Sequence, residues 1–138
     1  MDYSPGLRGV IAGETAISTV GKEGTSLRYR GYDATDLTSE NTYEEVASLI
    51  LTDFLEDKNF KKSFSKYYLE TTKDAKLNDL LIEIKEKLHP MDVVRTIVSY
   101  KGELTTLRKK ILDNADKVEL SARITATVCY IIASYHQE

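Results

Sequence analysis

The sequence has 138 residues, of which 41% are hydrophobic and 30% charged, and its net charge is -3. That length fits a single domain able to bury about two-thirds of its unfolded surface. The slight acidity gives no bulk electrostatic case for binding nucleic acid or an anionic membrane. One cysteine, Cys129, excludes an intramolecular disulfide, and its apolar neighbours read as the surroundings of a buried, inert thiol. No signal peptide or transmembrane run is visible, so the cytoplasm is the default compartment.

The N-terminal stretch from Gly6 to Asp33 holds six of the seven glycines: Gly6, Gly9, Gly13, Gly21, Gly24 and Gly31. Such clustering marks a run of tight turns. Two alternating segments, Thr15–Val20 and Leu27–Tyr32, are joined by a loop from Val20 to Thr25. They predict a short β-hairpin over about 15–32. Arg28 and Arg30 alternate with Leu27 and Tyr29, as on a strand with one wet face.

Helices follow. Thr42 and Glu45 have capping-box spacing, and Val46, Leu49, Ile50 and Phe54 recur with helical period, which predicts a helix over about 43–55. A second helix is expected over 58–72, with Phe60, Phe64, Tyr67 and Tyr68 facing a core and Lys61, Lys62 and Lys66 facing solvent. Leu77, Leu80, Leu81, Ile84 and Leu88 predict a third over 77–88. His89-Pro90-Met91-Asp92 breaks and restarts the chain, because proline is favoured at the first helical position. A fourth helix is therefore expected over 90–101, with His89 near its N-cap. Glu103–Asp113 reads as a polar helix or turn. The last helix, 118–137, is apolar nearly all round. Leu120, Ile124, Val128, Ile131, Ile132 and Tyr135 form one face, and Ala122, Ala126, Cys129 and Ala133 another. A helix apolar on both faces is buried between layers, so one side of it calls for a partner.

A search for chemistry finds little. His89 and His136 are far apart in sequence, so no metal-ligand cluster has the usual spacing. Neither a phosphate-binding glycine loop nor a nucleophile elbow is present. His89 reads as a helix-junction residue and His136 as a surface residue at a helix end. No catalytic residue and no metal ligand is assigned.

Several strings together resemble the citrate synthase family. They are GLRG (6–9), the AG-x-TA-x-STVGK-x-G pattern over 12–24, YRGYD (29–33), TYEEVASLIL (42–51), HPMDVVRTIV (89–98) and the final helix 122–136. The resemblance covers nearly the whole chain and is closest to the 2-methylcitrate synthase branch. It corresponds to the leading part of the family, roughly a third. One departure stands out: LTDFLEDKNF (51–60) lacks the Gly and Pro of the turn that the family usually carries before the second helix.

The resemblance implies a mainly α fold with a short N-terminal β-hairpin, the single domain 1–138 being the N-terminal part of a citrate-synthase-like enzyme. It implies condensation of an acyl-CoA with oxaloacetate, with acetyl-CoA or propionyl-CoA as substrate of the complete enzyme and no tightly bound cofactor. The family's base, carbonyl-polarising histidines and carboxylate-binding arginines lie beyond this chain's last residue, so the chain alone is expected to be inactive. One residue is carried over: Arg8, in GLRG, either as a contact to the CoA phosphates or as a salt-bridged structural arginine. Helices 90–101 and 118–137 resemble the family's dimer-interface helices. Their implied partner is a second copy or a complementary large subunit. The alternative is a non-catalytic, dimerising interaction or regulatory protein built on the same fold.

Overall fold

The computed structural model describes residues 9–11, 13–19, 26–102 and 113–137. Their contacts divide the chain into two compact units, with the boundary after Asn41. The expected loop at 20–25 and the polar stretch 103–112 lie outside the described residues.

The first unit carries three two-residue strands, β1 (Ser18–Thr19), β2 (Arg28–Tyr29) and β3 (Tyr32–Asp33), in an antiparallel sheet of order β1-β2-β3. Ser18 pairs with Tyr29, and Tyr29 pairs in turn with Tyr32. The expected two-stranded hairpin thus gains a third strand. The cause is the turn at Arg30-Gly31, where both residues have positive φ (50° and 90°). Two consecutive positive φ values match the twist of the flanking strands and permit a two-residue hairpin loop. Asp33 then caps α1 (Ala34–Glu40), its carboxylate accepting from the Thr35 N–H at 2.9 Å. Ser26 donates to the same carboxylate, and these two bonds hold the Asp33 pKa below its ordinary value.

The second unit is helical: α2 (Tyr43–Thr52), α3 (Lys58–Thr72), α4 (Ala75–Lys85), α5 (Pro90–Lys101) and α6 (Asn114–Tyr135). Side-chain acceptors start every one of them. Asp57 accepts from Phe60 N–H at 2.8 Å, Asp74 from Leu77 N–H at 3.1 Å, and Asp113 from Asp116 N–H at 2.8 Å. These caps satisfy amides that have no partner inside the helix. Gly102 ends α5 in the left-handed region, φ 58°.

Three boundaries differ from expectation. α2 stops at Thr52, not 55, because Asp53 takes φ 72° and closes the helix with its N–H on Leu49 C=O at 3.1 Å. α4 begins at Ala75 and ends at Lys85, shifted toward its Asp74 cap. α6 begins at Asn114 because Asp113 and Asp116 form a reciprocal capping box ahead of the apolar run.

α6 is the spine of this unit. Its first half packs Ala122 and Ala126 on Phe60, Phe64 and Tyr67 of α3. Its second half places Ile131 among Leu77 and Leu81 of α4 and Val93 and Ile97 of α5. Polar ties fix the helices around it. Lys61 of α3 meets Glu45 of α2 at 3.0 Å, and Lys101 of α5 meets Asp74 at the head of α4 at 3.1 Å.

Candidate functional site

Thr42 opens α2 with a full capping box. Its hydroxyl accepts from Glu45 N–H, and the Glu45 carboxylate accepts from Thr42 N–H at 2.9 Å. That bond, together with Lys61, pulls the Glu45 carboxyl down to about 2. The result is a fixed first turn that stands Tyr43 and Glu44 at the edge of a depression of about 440 Å³. Phe64, Ser65 and Tyr68 of α3 and Cys129 and Ala133 of α6 complete its lining. On the other side of Tyr43, a second depression of about 230 Å³ is lined by Val46, Ala47, Ile50 and Leu51 of α2 and by Thr125 of α6.

The two depressions share Tyr43: the larger is a groove lined by α2, α3 and α6, and the smaller is lined by α2 and α6. Residues 43, 46, 47, 50 and 51 fall on a single helical face, as do 125, 129 and 133. An aromatic ladder runs beneath. Tyr43 and Phe64 have ring centroids 6.4 Å apart, Phe64 and Tyr68 stack at 6.3 Å, and Tyr68 meets Tyr130 edge-on at 5.9 Å. Tyr130 is anchored in turn by donating to Asn78 Oδ1 at 2.7 Å. Burial raises the Tyr43 phenol to about 12, and the neighbouring Cys129 thiol adds to that rise. Glu44 is the one ionisable carboxylate in the lining, so the groove is apolar with a single acidic edge.

A second polar cluster lies on the α3–α6 seam. Tyr67 donates to Glu119, and the Arg123 guanidinium stacks over the Tyr67 ring at 5.2 Å. Burial first, and the Glu119 carboxylate second, push the Tyr67 phenol up to about 12. A phenol held protonated against a carboxylate and covered by a cation is a packing device with its hydrogen bond satisfied.

Arg8, the expected CoA contact, lies outside the described residues. His89 is the N-cap of α5, where its Nδ1 accepts from Met91 N–H at 3.3 Å. That accounts for it structurally. His136 is exposed at the end of α6. Cys129 differs from the sequence expectation: it is half-buried and lines the groove. Among the described residues no group of three or more His, Cys, Asp or Glu side chains is placed to hold a metal ion. No helix among them is long and apolar enough to cross a membrane. Sequence reasoning missed the groove itself. Its only trace was the second apolar face of α6, because the α2 residues that meet that face are some 80 positions away.

The family model described as "Citrate synthase, C-terminal domain" matches residues 6–138. The chain is 39% identical to the 2-methylcitrate synthase of Shewanella oneidensis over 129 residues, covering 91% of this chain and 34% of that protein. It is 38% identical to the citrate synthase of Mycolicibacterium smegmatis over 97 residues, covering 70% and 26% respectively. The citrate/2-methylcitrate synthase of Bacillus subtilis is 36% identical over 98 residues, with 70% and 26% coverage. The chain therefore spans about a third or less of the length of these curated relatives.

Proposed function

The chain belongs to the citrate synthase family, and from that premise we propose that it is one portion of an acyl-CoA–oxaloacetate condensing enzyme, inactive until the rest of the family's polypeptide is assembled with it. One observation carries this reading: relatives bearing the names citrate synthase and 2-methylcitrate synthase are about three to four times as long as the stretch they share with this chain. The reaction joins the enolate of an acyl-CoA to the oxaloacetate ketone and releases CoA. It needs a base on the acyl α-carbon and electrophiles on both carbonyls. The described residues supply scaffold for such a site. The leading third of the family is the part to which this chain corresponds, and Arg8 is its contribution to CoA phosphate binding.

The test is release of free thiol from acetyl-CoA or propionyl-CoA with oxaloacetate. The pure chain gives none, and the chain mixed with a complementary family polypeptide gives turnover. Turnover by the pure chain overturns the claim that it is inactive alone.

A second reading is favoured by the apolarity of α6 on opposite faces. In that reading the chain is a non-catalytic interaction protein that pairs with itself through α5 and α6. Its native mass separates the two: a larger second polypeptide co-purifying supports the enzyme portion, and a pure homodimer supports the interaction protein.

A further inference from the structure

We propose that His89 is a pH-sensitive switch at the head of α5: its neutral imidazole caps the helix, and its protonated form releases the cap, so mild acid loosens the first turn. The inference does not depend on the enzyme-portion reading. It follows from where the donors at this helix end go. Pro90, at the first helical position, has no N–H. The Asp92 and Val93 N–H groups both donate to the His89 C=O, at 2.8 and 3.1 Å. The Met91 N–H is left for the side chain, and His89 Nδ1 accepts it at 3.3 Å. Serine, threonine or asparagine would cap with an oxygen that accepts at any ordinary pH. Imidazole accepts only through the lone pair of an unprotonated nitrogen.

Protonation changes two things in the same direction. Nδ1 becomes a donor set against another donor, the Met91 N–H. A positive charge also appears at a helix N-terminus, where the macrodipole repels it. Imidazole is the side chain whose charge ordinarily changes between about pH 5 and 8, and His89 is exposed to solvent protons. The cap exists only in the folded chain and only with the neutral ring. Its contribution is therefore present above that range and withdrawn as pH falls through it. Losing a side-chain cap shifts a folding equilibrium about fivefold. Behind this turn Val93 is fully buried beside Ile97, Leu77, Leu81 and Ile131, which confines the loosening to residues 89–92.

The charged and titratable groups of the adjoining segments do not cancel this effect. On α5, the Asp92 carboxylate is already paired with Arg95 at 3.0 Å. An exposed pair of that kind is worth about a twofold change, less than the cap. At the end of α4, Lys87 meets Glu83 at 3.9 Å, Glu86 is exposed, and Lys85 donates to the Gln137 C=O at 2.8 Å. From α6, Tyr135 donates to the C=O of Leu88, the residue before His89, at 3.5 Å, and its ring meets that of His136 edge-on. His136 is the C-cap of α6, at the end where the macrodipole attracts positive charge. The chain's two histidines thus answer acid with opposite signs, at two helix ends joined by the Tyr135–Leu88 bond.

The substitution His136→Gln removes the opposing imidazole and gives the background for the test. Urea unfolding is followed by circular dichroism at about pH 7.5 and about pH 5.5, on either side of the imidazole range. The background chain is compared with one that also carries His89→Asn, because asparagine caps at both pH values. The two are expected to be equally stable at the higher pH. At the lower pH the unfolding equilibrium constant of the chain that keeps His89 should be about fivefold the larger. His89→Ala, without a cap at either pH, should stay weaker than His89→Asn by a constant factor. Exchange of the Met91 amide, read by NMR, reports the same event locally. Relative to the His89→Asn chain it should quicken at the lower pH alone. A ratio between the two chains that is the same at both pH values, in either measurement, overturns the proposal. So does a chain that gains stability from His89 in acid, the sign expected if an imidazolium–Asp92 pair outweighed the cap.

Discussion

The two halves of α6 solve the same packing problem in opposite ways. In the first half the spine is narrow, with Ala122 and Ala126 fully buried, and the neighbour is wide, with Phe60, Phe64 and Tyr67. In the second half the spine supplies the bulk with Ile131, and branched aliphatic residues from two helices close around it. Flat rings over alanines let α3 lie close along α6. They also extend past it, so Phe64 and Tyr68 form the floor of the open groove. Branched residues contributed from two sides fill the space between them. An end packed with aromatic rings beside an open depression thus adjoins an end packed with branched aliphatic side chains.

Substitutions test that contrast, and the largest effect is expected at its centre. Phe60 is fully buried, so Phe60→Ala should cost about 3–5 kcal/mol of unfolding free energy in urea melts. Next comes a swap of spine residues. Ala126→Leu forces bulk under the rings and should cost about 1–3 kcal/mol, whereas Ile131→Leu at the aliphatic end conserves volume and should cost less than about 1.5 kcal/mol. Equal costs for the two would abolish the distinction between the ends. Thr42→Ala removes the cap that positions Tyr43 and should cost about 1 kcal/mol.

The same cap gives the acid dependence a sign. The Glu45 carboxyl titrates near 2 in the fold against an ordinary 4.5. Its contribution is therefore complete above about pH 4.5 and lost as pH falls toward 2, and that acid slope should be smaller in Glu45→Gln. The smallest effect is alkaline. Tyr67 titrates near 12 against an ordinary 10, raised by burial and by Glu119. Its contribution is present below pH 10 and lost as pH rises toward 12. Tyr67→Phe should cost about 1 kcal/mol at neutral pH and flatten the slope between those values.

Much of the helical unit was legible because its punctuation is written in adjacent residues. Asp57 before the aromatic run, His89-Pro90 before α5 and Gly102 after it set the limits of α3 and α5 at the residues expected. Where punctuation and periodicity disagreed, periodicity misled. Phe54 continues the apolar pattern of α2 and drew the helix on to 55, but the chain has already turned left-handed at Asp53, and Phe54 is exposed. The Asp113–Asp116 box was passed over because the apolar stripe starts only at Val118. The third strand escaped because its turn uses Arg30, a residue not expected at positive φ. The groove was the least legible feature. Periodicity shows that a helix has a second apolar face, but pairing residues 43–51 with 125–133 is a property of packing that no local pattern records.

The turn between α2 and α3, residues 53–57, contains no glycine or proline, and the buried Ser48 hydroxyl ties it together. Ser48 Oγ donates to Phe54 C=O at 2.6 Å and accepts from Asp57 N–H at 3.2 Å. The consequence concerns where this polypeptide tolerates interruption. A connection of five residues between two helices is ordinarily a place to insert a tag, relocate the termini or admit a protease. Here an insertion would pull the Phe54 and Asp57 backbone off the fully buried Ser48 side chain, and would disturb the residue that starts α3. Anyone dividing or fusing this chain should keep residues 48–57 as an uninterrupted length.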